Sequence, residues 1–262
     1  MFIIKLRSIL TFSLLAISFG HAFGQYNETI RTARPGKSVG PFTTGKSIFQ
    51  IQSGLNILTF DSSESDGSGN IVTQLNSLRF GVSETIEIRS AFSYRNETMD
   101  VGNSEFKGSG INFWNVGLRV NLVNNGGTNK PSFGIQGDVG LKTVGQDYEP
   151  NYLSPRILFL MTTRLSKTFG FTTNLGTQWS GSNGKASALY TLNLGFSITN
   201  KLRGFIENYG SYQESNLTTR FDTGLGYLIN NNFAVDISAG YGDNNNQVDY
   251  FIDFGLSYRF KV

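Results

Sequence analysis

The sequence predicts an all-β chain, closed into a transmembrane antiparallel up-and-down β-barrel of about twelve strands. Three observations carry this. Apolar and polar residues alternate with period two in twelve segments; every second connection between them is short while the others are often longer; and no long apolar run follows the amino-terminal stretch. Glycine, at 31 of 262 residues, weakens helix interiors and argues against a helical bundle. The 22 Phe and 11 Tyr can bury much surface, which argues against disorder. With no cysteine, zinc fingers, disulfide scaffolds, iron–sulfur proteins and cysteine hydrolases are excluded.

Residues 1–24 read as a signal peptide: Lys5 and Arg7, the apolar stretch Ile9 to Phe19, then small residues at Ala22 and Gly24, with the mature start near Gln25. A buried amino-terminal helix is the alternative. Cleavage removes His21, the one histidine, together with Lys5 and Arg7, so 20 basic groups face 19 acidic ones. Ser-His-Asp and Cys-His units and histidine-ligated zinc or haem are then unavailable. The expectation is a non-enzyme with no catalytic residues, no metal and no cofactor, exported to the outer membrane of a Gram-negative bacterium.

Residues 25–45 are polar and irregular, and Pro35 and Pro41 oppose regular structure, so they form an amino-terminal periplasmic arm or a lumen plug. Residues 46–262 form the barrel. Its first strand sets Phe49, Ile51, Leu55 and Ile57 against Gln50, Gln52, Gly54 and Asn56. The second sets Leu78, Phe80 and Val82 against Arg79 and Gly81; the third sets Ile86, Ile88, Phe92 and Tyr94 against Glu87, Arg89, Ser93 and Arg95. Trp114 to Leu122 alternates with Asn115, Gly117, Arg119 and Asn121, and Phe133 to Leu141 with Gln136, Asp138 and Gly140. The phase of residues 156–165 is open, because Leu158 and Leu160 are apolar beside Ile157, although Arg164 ends the segment on the polar face. Phe169 to Trp179 and Tyr190 to Ile198 alternate cleanly, whereas 202–212, with Glu207, is again open. Phe221 to Ile229 opposes Asp222, Phe233 to Tyr241 opposes Asp236, and Tyr250 to Val262 opposes Asp249, Asp253, Arg259 and Lys261.

Strands this long exceed the five or six residues usual in a soluble sandwich. The connections decide for a barrel: short turns at 83–85, 166–168, 199–201 and 230–232, somewhat longer at 124–130, against longer ones at 61–70, 97–110 and 142–155. Aromatic residues near strand ends, among them Trp114, Phe169, Trp179 and Tyr250, fit interfacial girdles, and Phe260 is the kind of terminal residue that barrel-assembly machinery reads. Expected partners are outer-membrane lipid, that machinery during biogenesis and a small-molecule solute; no nucleic acid is expected, and the barrel is expected to be a monomer.

Arg34-Pro35-Gly36, Gly45, Gln50-Ile51-Gln52-Ser53-Gly54, Leu78-Arg79-Phe80-Gly81, Glu87-Ile88-Arg89, Phe205-Ile206-Glu207-Asn208-Tyr209-Gly210 and Asp222-Thr223-Gly224 stand in this order. Over nearly the whole mature chain they resemble the outer-membrane transporter family named after the meta-cleavage pathway of phenol degradation, in its Bacteroidetes-like form. The resemblance implies passage of small, including aromatic, compounds. Gln52 departs from the pattern, where such sequences often carry Glu.

The strand phases send Arg79, Glu87, Arg89, Arg119, Asp138, Arg164, Glu207, Asp222, Asp236, Asp253 and Arg259 into the lumen as a mixed-charge belt. It is read either as a selectivity belt or as a salt-bridged network that holds the barrel's shape. Arg31, Arg34, Lys37 and Lys46 can enter the lumen as a plug and pair with its carboxylates, or remain in the periplasm. The outer connections hold ten acidic residues (Asp61, Glu64, Asp66, Glu97, Asp100, Glu105, Asp147, Glu149, Glu214, Asp243) against Lys107, Lys142 and Lys185, an acidic mouth or ordinary solvated loops. Two functions follow as expectations: a channel for a small solute, gated by the arm, or a structural or accessory barrel with a sealed lumen.

Overall fold

A strand with one lipid-compatible face and one face of Gln, Arg, Glu and Asn leaves its polar side exposed unless the sheet closes around it. The computed structural model closes it. It describes residues 28–62, 67–142, 146–244 and 247–262, apart from the side chains of Gln146, Asp243 and Asn244; residues 1–24, expected to be a signal peptide, with His21, and Glu64 and Asp66, lie outside the described residues. The strands are β1 (Ile48–Ser62), β2 (Gly67–Gly81), β3 (Ile86–Val101), β4 (Ser104–Val123), β5 (Ser132–Gly140), β6 (Ser154–Arg164), β7 (Phe169–Trp179), β8 (Ala186–Ser197), β9 (Leu202–Gln213), β10 (Asn216–Asn230), β11 (Phe233–Asn244) and β12 (Gln247–Lys261). Each pairs antiparallel with its neighbour, and β1 closes on β12 from Ile48 opposite Lys261 to Ser62 opposite Gln247. Twelve strands return both ends of the barrel sequence to the rim that carries the short turns.

Burial is inverted relative to a soluble protein. Ile88, Leu118 and Leu175 are at least half exposed on the outside, whereas Gln50, Arg79 and Glu87 are at most 2% exposed inside. A sandwich core would not accept those polar groups. Both open phases resolve: Ile157 and Phe159 face outward and Leu158 and Leu160 are buried inside, while Ile206 faces outward and Phe205 and Glu207 are buried inside.

Two expected long connections are mostly strand. β1 and β2 continue to Ser62 and from Gly67, and β3 and β4 meet across the two-residue turn Gly102-Asn103, where Gly102 has φ +57°. The reason is that apolar alternation ends where lipid ends. Ladder hydrogen bonds do not need lipid, so a strand with two polar faces continues above the apolar band. β9 and β10 likewise meet at Glu214-Ser215, with φ values of +48° and +69°.

Candidate functional site

The inward face of the barrel encloses the segment from Ile30 to Gly45. Prolines 35 and 41 keep it from forming a ladder of its own, so its backbone groups must find partners on the strands. They do. Ile30 N donates to Asn231 O (2.8 Å) at the β10–β11 turn, and the Arg31 carbonyl accepts from Gln50 Nε2 (3.1 Å) and Arg79 Nη1 (2.9 Å). On the far wall, Lys37 N and Ser38 N donate to the two oxygens of Glu207 (2.5 and 2.8 Å). Val39 exchanges two 2.8 Å bonds with the Asn174 amide. The chain then crosses back, where Asn121 Nδ2 donates to Pro41 O (3.2 Å), Arg119 Nη1 donates to Phe42 O (3.2 Å), and Thr44 N donates to Glu87 Oε2 (2.9 Å). This path explains why the lumen carries Gln50, Asn121 and Asn174 as well as charge.

Of the four cations expected to plug the lumen, Arg34 alone forms a carboxylate ion pair among the described residues: its Nη2 reaches Asp236 Oδ1 (3.1 Å) and Asp253 Oδ1. Lys37 Nζ lies 6.0 and 5.9 Å from the ring centroids of Tyr209 and Phe251. Arg31 lies 3.8 Å over the Phe42 ring, and burial, followed by repulsion from Arg203 and Arg164, pushes its pKa down to about 10. Lys46 is exposed at the rim, with its backbone N 3.4 Å from Glu84 Oε1. The segment is therefore held more by its backbone than by its charges.

Against the segment, Arg79 and Glu87 form a two-pronged pair (2.8 Å for each prong) that is almost wholly buried. Arg119 donates to the Gln136 amide oxygen, and Arg89 and Arg156 share Asp138 at 3.2 and 2.7 Å. Glu207, Asp222, Asp236 and Asp253 stand on β9 to β12. Arg259 bonds Asn232 Oδ1 (3.0 Å) and Glu28 O (2.8 Å) near the turns. Ten of the eleven predicted belt residues are thus buried inside; the exception is Arg164, which is exposed at the end of β6. Two charged members, Arg156 and Arg220, escaped the sequence reading, and a third, Asp249, falls on the polar face of its strand by alternation but is not among the expected belt residues. Arg156 pairs with Asp138, and Arg220 pairs with Asp249 (2.5 Å), which is 1% exposed. Arg156 and Arg220 each lie one residue before the first apolar residue of their segment, and extending the alternation by that residue would have found them.

At the outer rim, Arg95 pairs with Glu97 (2.6 Å), Lys107 with Glu105 (2.9 Å) and Lys185 with Glu214 (2.6 Å).

Residues 32–260 match the model of the family described as "Putative MetA-pathway of phenol degradation". No curated protein matches the chain. Among solved structures it is similar to an outer membrane channel from Pseudomonas putida F1, with a TM-score of 0.70 and 10% identity, covering 87% of this chain and 100% of that one. It is also similar to the transport unit of the autotransporter AIDA-I from Escherichia coli (TM-score 0.55, 11% identity, 82% and 91% covered). A third likeness is to the KdgM porin in complex with disordered oligogalacturonate (TM-score 0.52, 11% identity, 79% and 99% covered). At these identities the likeness is one of fold.

Proposed function

The chain belongs to the family described as "Putative MetA-pathway of phenol degradation", and from that premise we propose that it is a monomeric outer-membrane channel of a Gram-negative bacterium, admitting small solutes that include aromatic or hydrophobic ones. In this reading residues 1–24 are removed on export, 25–45 plug the lumen and 46–262 span the membrane. The exterior band of apolar side chains supports the membrane setting. The observation that carries the channel reading is the enclosed segment. It crosses the lumen on hydrogen bonds to Glu207, Asn174, Asn121 and Glu87, without adding a strand to the barrel. A strap of this kind can move while the barrel stays closed, which is how a gate works without breaking a ladder. The buried charges then act as a selectivity belt along the route. No catalysis is assigned to them: Glu87, Asp138, Asp236, Asp249 and Asp253 each sit in an arginine ion pair, and Glu207, which does not, is occupied by the amides of Lys37 and Ser38.

The test is solute flux into liposomes. The mature protein, or the form lacking residues 25–45, should swell vesicles in isotonic small solutes, the shortened form faster. No flux from either would overturn the channel reading. A second reading, a sealed structural or accessory barrel, is favoured by the nearly complete burial of the Arg79–Glu87 pair. Under it, Arg89→Ala and Glu207→Ala lower stability and leave flux unchanged; under the channel reading they change flux or ion selectivity.

A further inference from the structure

Between the enclosed segment and the outer rim the lumen keeps a cavity of about 210 Å³. Its walls differ in charge. On one side Arg89 and Arg156 line the cavity and share the carboxylate of Asp138; behind them Arg119 is bonded to an amide oxygen and Arg79 is paired with Glu87, so four guanidiniums meet two carboxylates there. The Arg156 side chain is still 27% exposed. On the other side stand Asp222 and Asp253, with Arg34 and Lys37 of the enclosed segment on the same lining; counting Asp236 and Glu207 beside them, four carboxylates face two cations there. Asp253 shares Arg34 with Asp236, but neither oxygen of Asp222 has a hydrogen-bond donor among the described residues, although the residue is only 6% exposed. Its cross-strand neighbour is Glu207, a second carboxylate already occupied by the amides of Lys37 and Ser38. Leu75 and Phe113 supply apolar wall to the same cavity.

A buried carboxylate without a donor is unfavourable until a cation or a proton reaches it. A surplus of guanidinium calls equally for an anion. A solute carrying one charge satisfies one wall and is repelled by the other, whereas a solute carrying both satisfies the two at once. We propose that this cavity is a binding site for a small amino-acid-like zwitterion, its carboxylate taken by Arg156 and its ammonium by Asp222, with its methylene groups against Leu75 and Phe113. The proposal deepens the channel reading by naming a solute class and rests on that reading for the solute's passage, but binding is measurable without passage.

The experiment is titration calorimetry on the detergent-solubilised mature protein with four probes of one size: 4-aminobutyrate, butyrate, butylammonium and butyramide. The zwitterion should bind at least about tenfold more tightly than each of the others. Asp222→Asn should weaken 4-aminobutyrate and butylammonium about tenfold and spare butyrate; Arg156→Gln should weaken 4-aminobutyrate and butyrate and spare butylammonium. Heat-modifiable gel migration checks that both variants fold, and the four-probe comparison on the unaltered protein needs no variant. Butyramide binding as tightly as the zwitterion, or both variants weakening all four probes alike, overturns the proposal. Binding with no vesicle swelling by any probe overturns the channel reading alone, and swelling without a zwitterion preference in binding overturns this inference alone.

Discussion

Gly54 and Gly255 lie opposite each other across the β1–β12 seam, and together they form the bed on which Arg34 rests. A Cβ on either glycine would overlap the Arg34 guanidinium. Closure of the barrel and seating of the enclosed segment therefore meet at one place: the seam is bare where Arg34 crosses it to reach Asp236 and Asp253.

Gly54→Ala and Gly255→Ala should each unseat Arg34. The guanidinium is the far end of a flexible side chain and can swing aside, so the cost is the loss of its two carboxylate contacts rather than strain in the barrel. The expected outcome is faster proteolysis of the segment and faster vesicle swelling, with the barrel still heat-modifiable. Gly226→Ala is the control, because a Cβ there would sit at an ordinary 3.6 Å from Pro35 Cδ. If the control and the two seam variants behave alike, the bed for Arg34 has no role in holding the segment.

Glu207 holds two successive amides of the segment and also accepts from Asn193 Nδ2 at 3.1 Å. Hydrogen bonds to a charged group contribute about 1.5–3 kcal/mol. Glu207→Ala should therefore weaken the hold on residues 37 and 38 by a few kcal/mol. Glu207→Gln should do nearly as badly, because its amide nitrogen is a donor facing a donor. Hydrogen exchange at Lys37 and Ser38 reads this directly: both variants should lose protection at these amides, and protection retained in Glu207→Gln would mean that the carboxylate is not what holds them.

The Arg79–Glu87 pair couples barrel to segment, since Arg79 also donates to Arg31 O and Phe42 O, and Glu87 accepts from Thr44 N. Removing one partner of a buried pair costs about 3–5 kcal/mol, while an apolar replacement of both is often near neutral. Here the double replacement Arg79→Met with Glu87→Leu should stay below the unaltered protein, because the segment's carbonyls and amide lose their partners. In the form lacking residues 25–45 the same double replacement should be close to neutral. Urea unfolding across this set measures the difference; equal destabilisation in both forms would show that the pair serves the barrel alone.

Strand parity was legible because lipid and lumen impose opposite chemistry on successive residues, so the exterior Ile88 and the buried Glu87 identify each other. Strand length was not, since from Asn96 to Val101 in β3 neither face meets lipid and polarity carries no phase. Leu158 and Leu160 defied parity for another reason. They face inward, and Leu158 lines the cavity beside Val39, an apolar residue of a segment whose position no alternation encodes. The belt charges could be placed from parity alone, but their partners could not. Lumen residues on one strand meet residues far along the chain, as Arg34 meets Asp253, and the contacts of the segment are largely made by backbone atoms, which the sequence does not mark.

The Glu214-Ser215 turn was invisible for a related reason and yields the last prediction. Positive φ at both central positions is the type I′ geometry of a two-residue hairpin, which favours Asn-Gly and strains residues with a larger Cβ substituent. A left-handed conformation costs an ordinary L-residue about 1–2 kcal/mol. Against that stands the Lys185–Glu214 pair, exposed on both sides, and such surface pairs contribute about 0–1 kcal/mol. Relief of strain is the larger effect, so Glu214→Asn with Ser215→Gly should stabilise the barrel by about 1 kcal/mol and raise its heat-modifiable transition by a few degrees. The turn is at the outer rim, away from the enclosed segment, so vesicle swelling should not change. A lower transition would mean that the ion pair outweighs the strain, and a changed flux would place this hairpin on the solute's route.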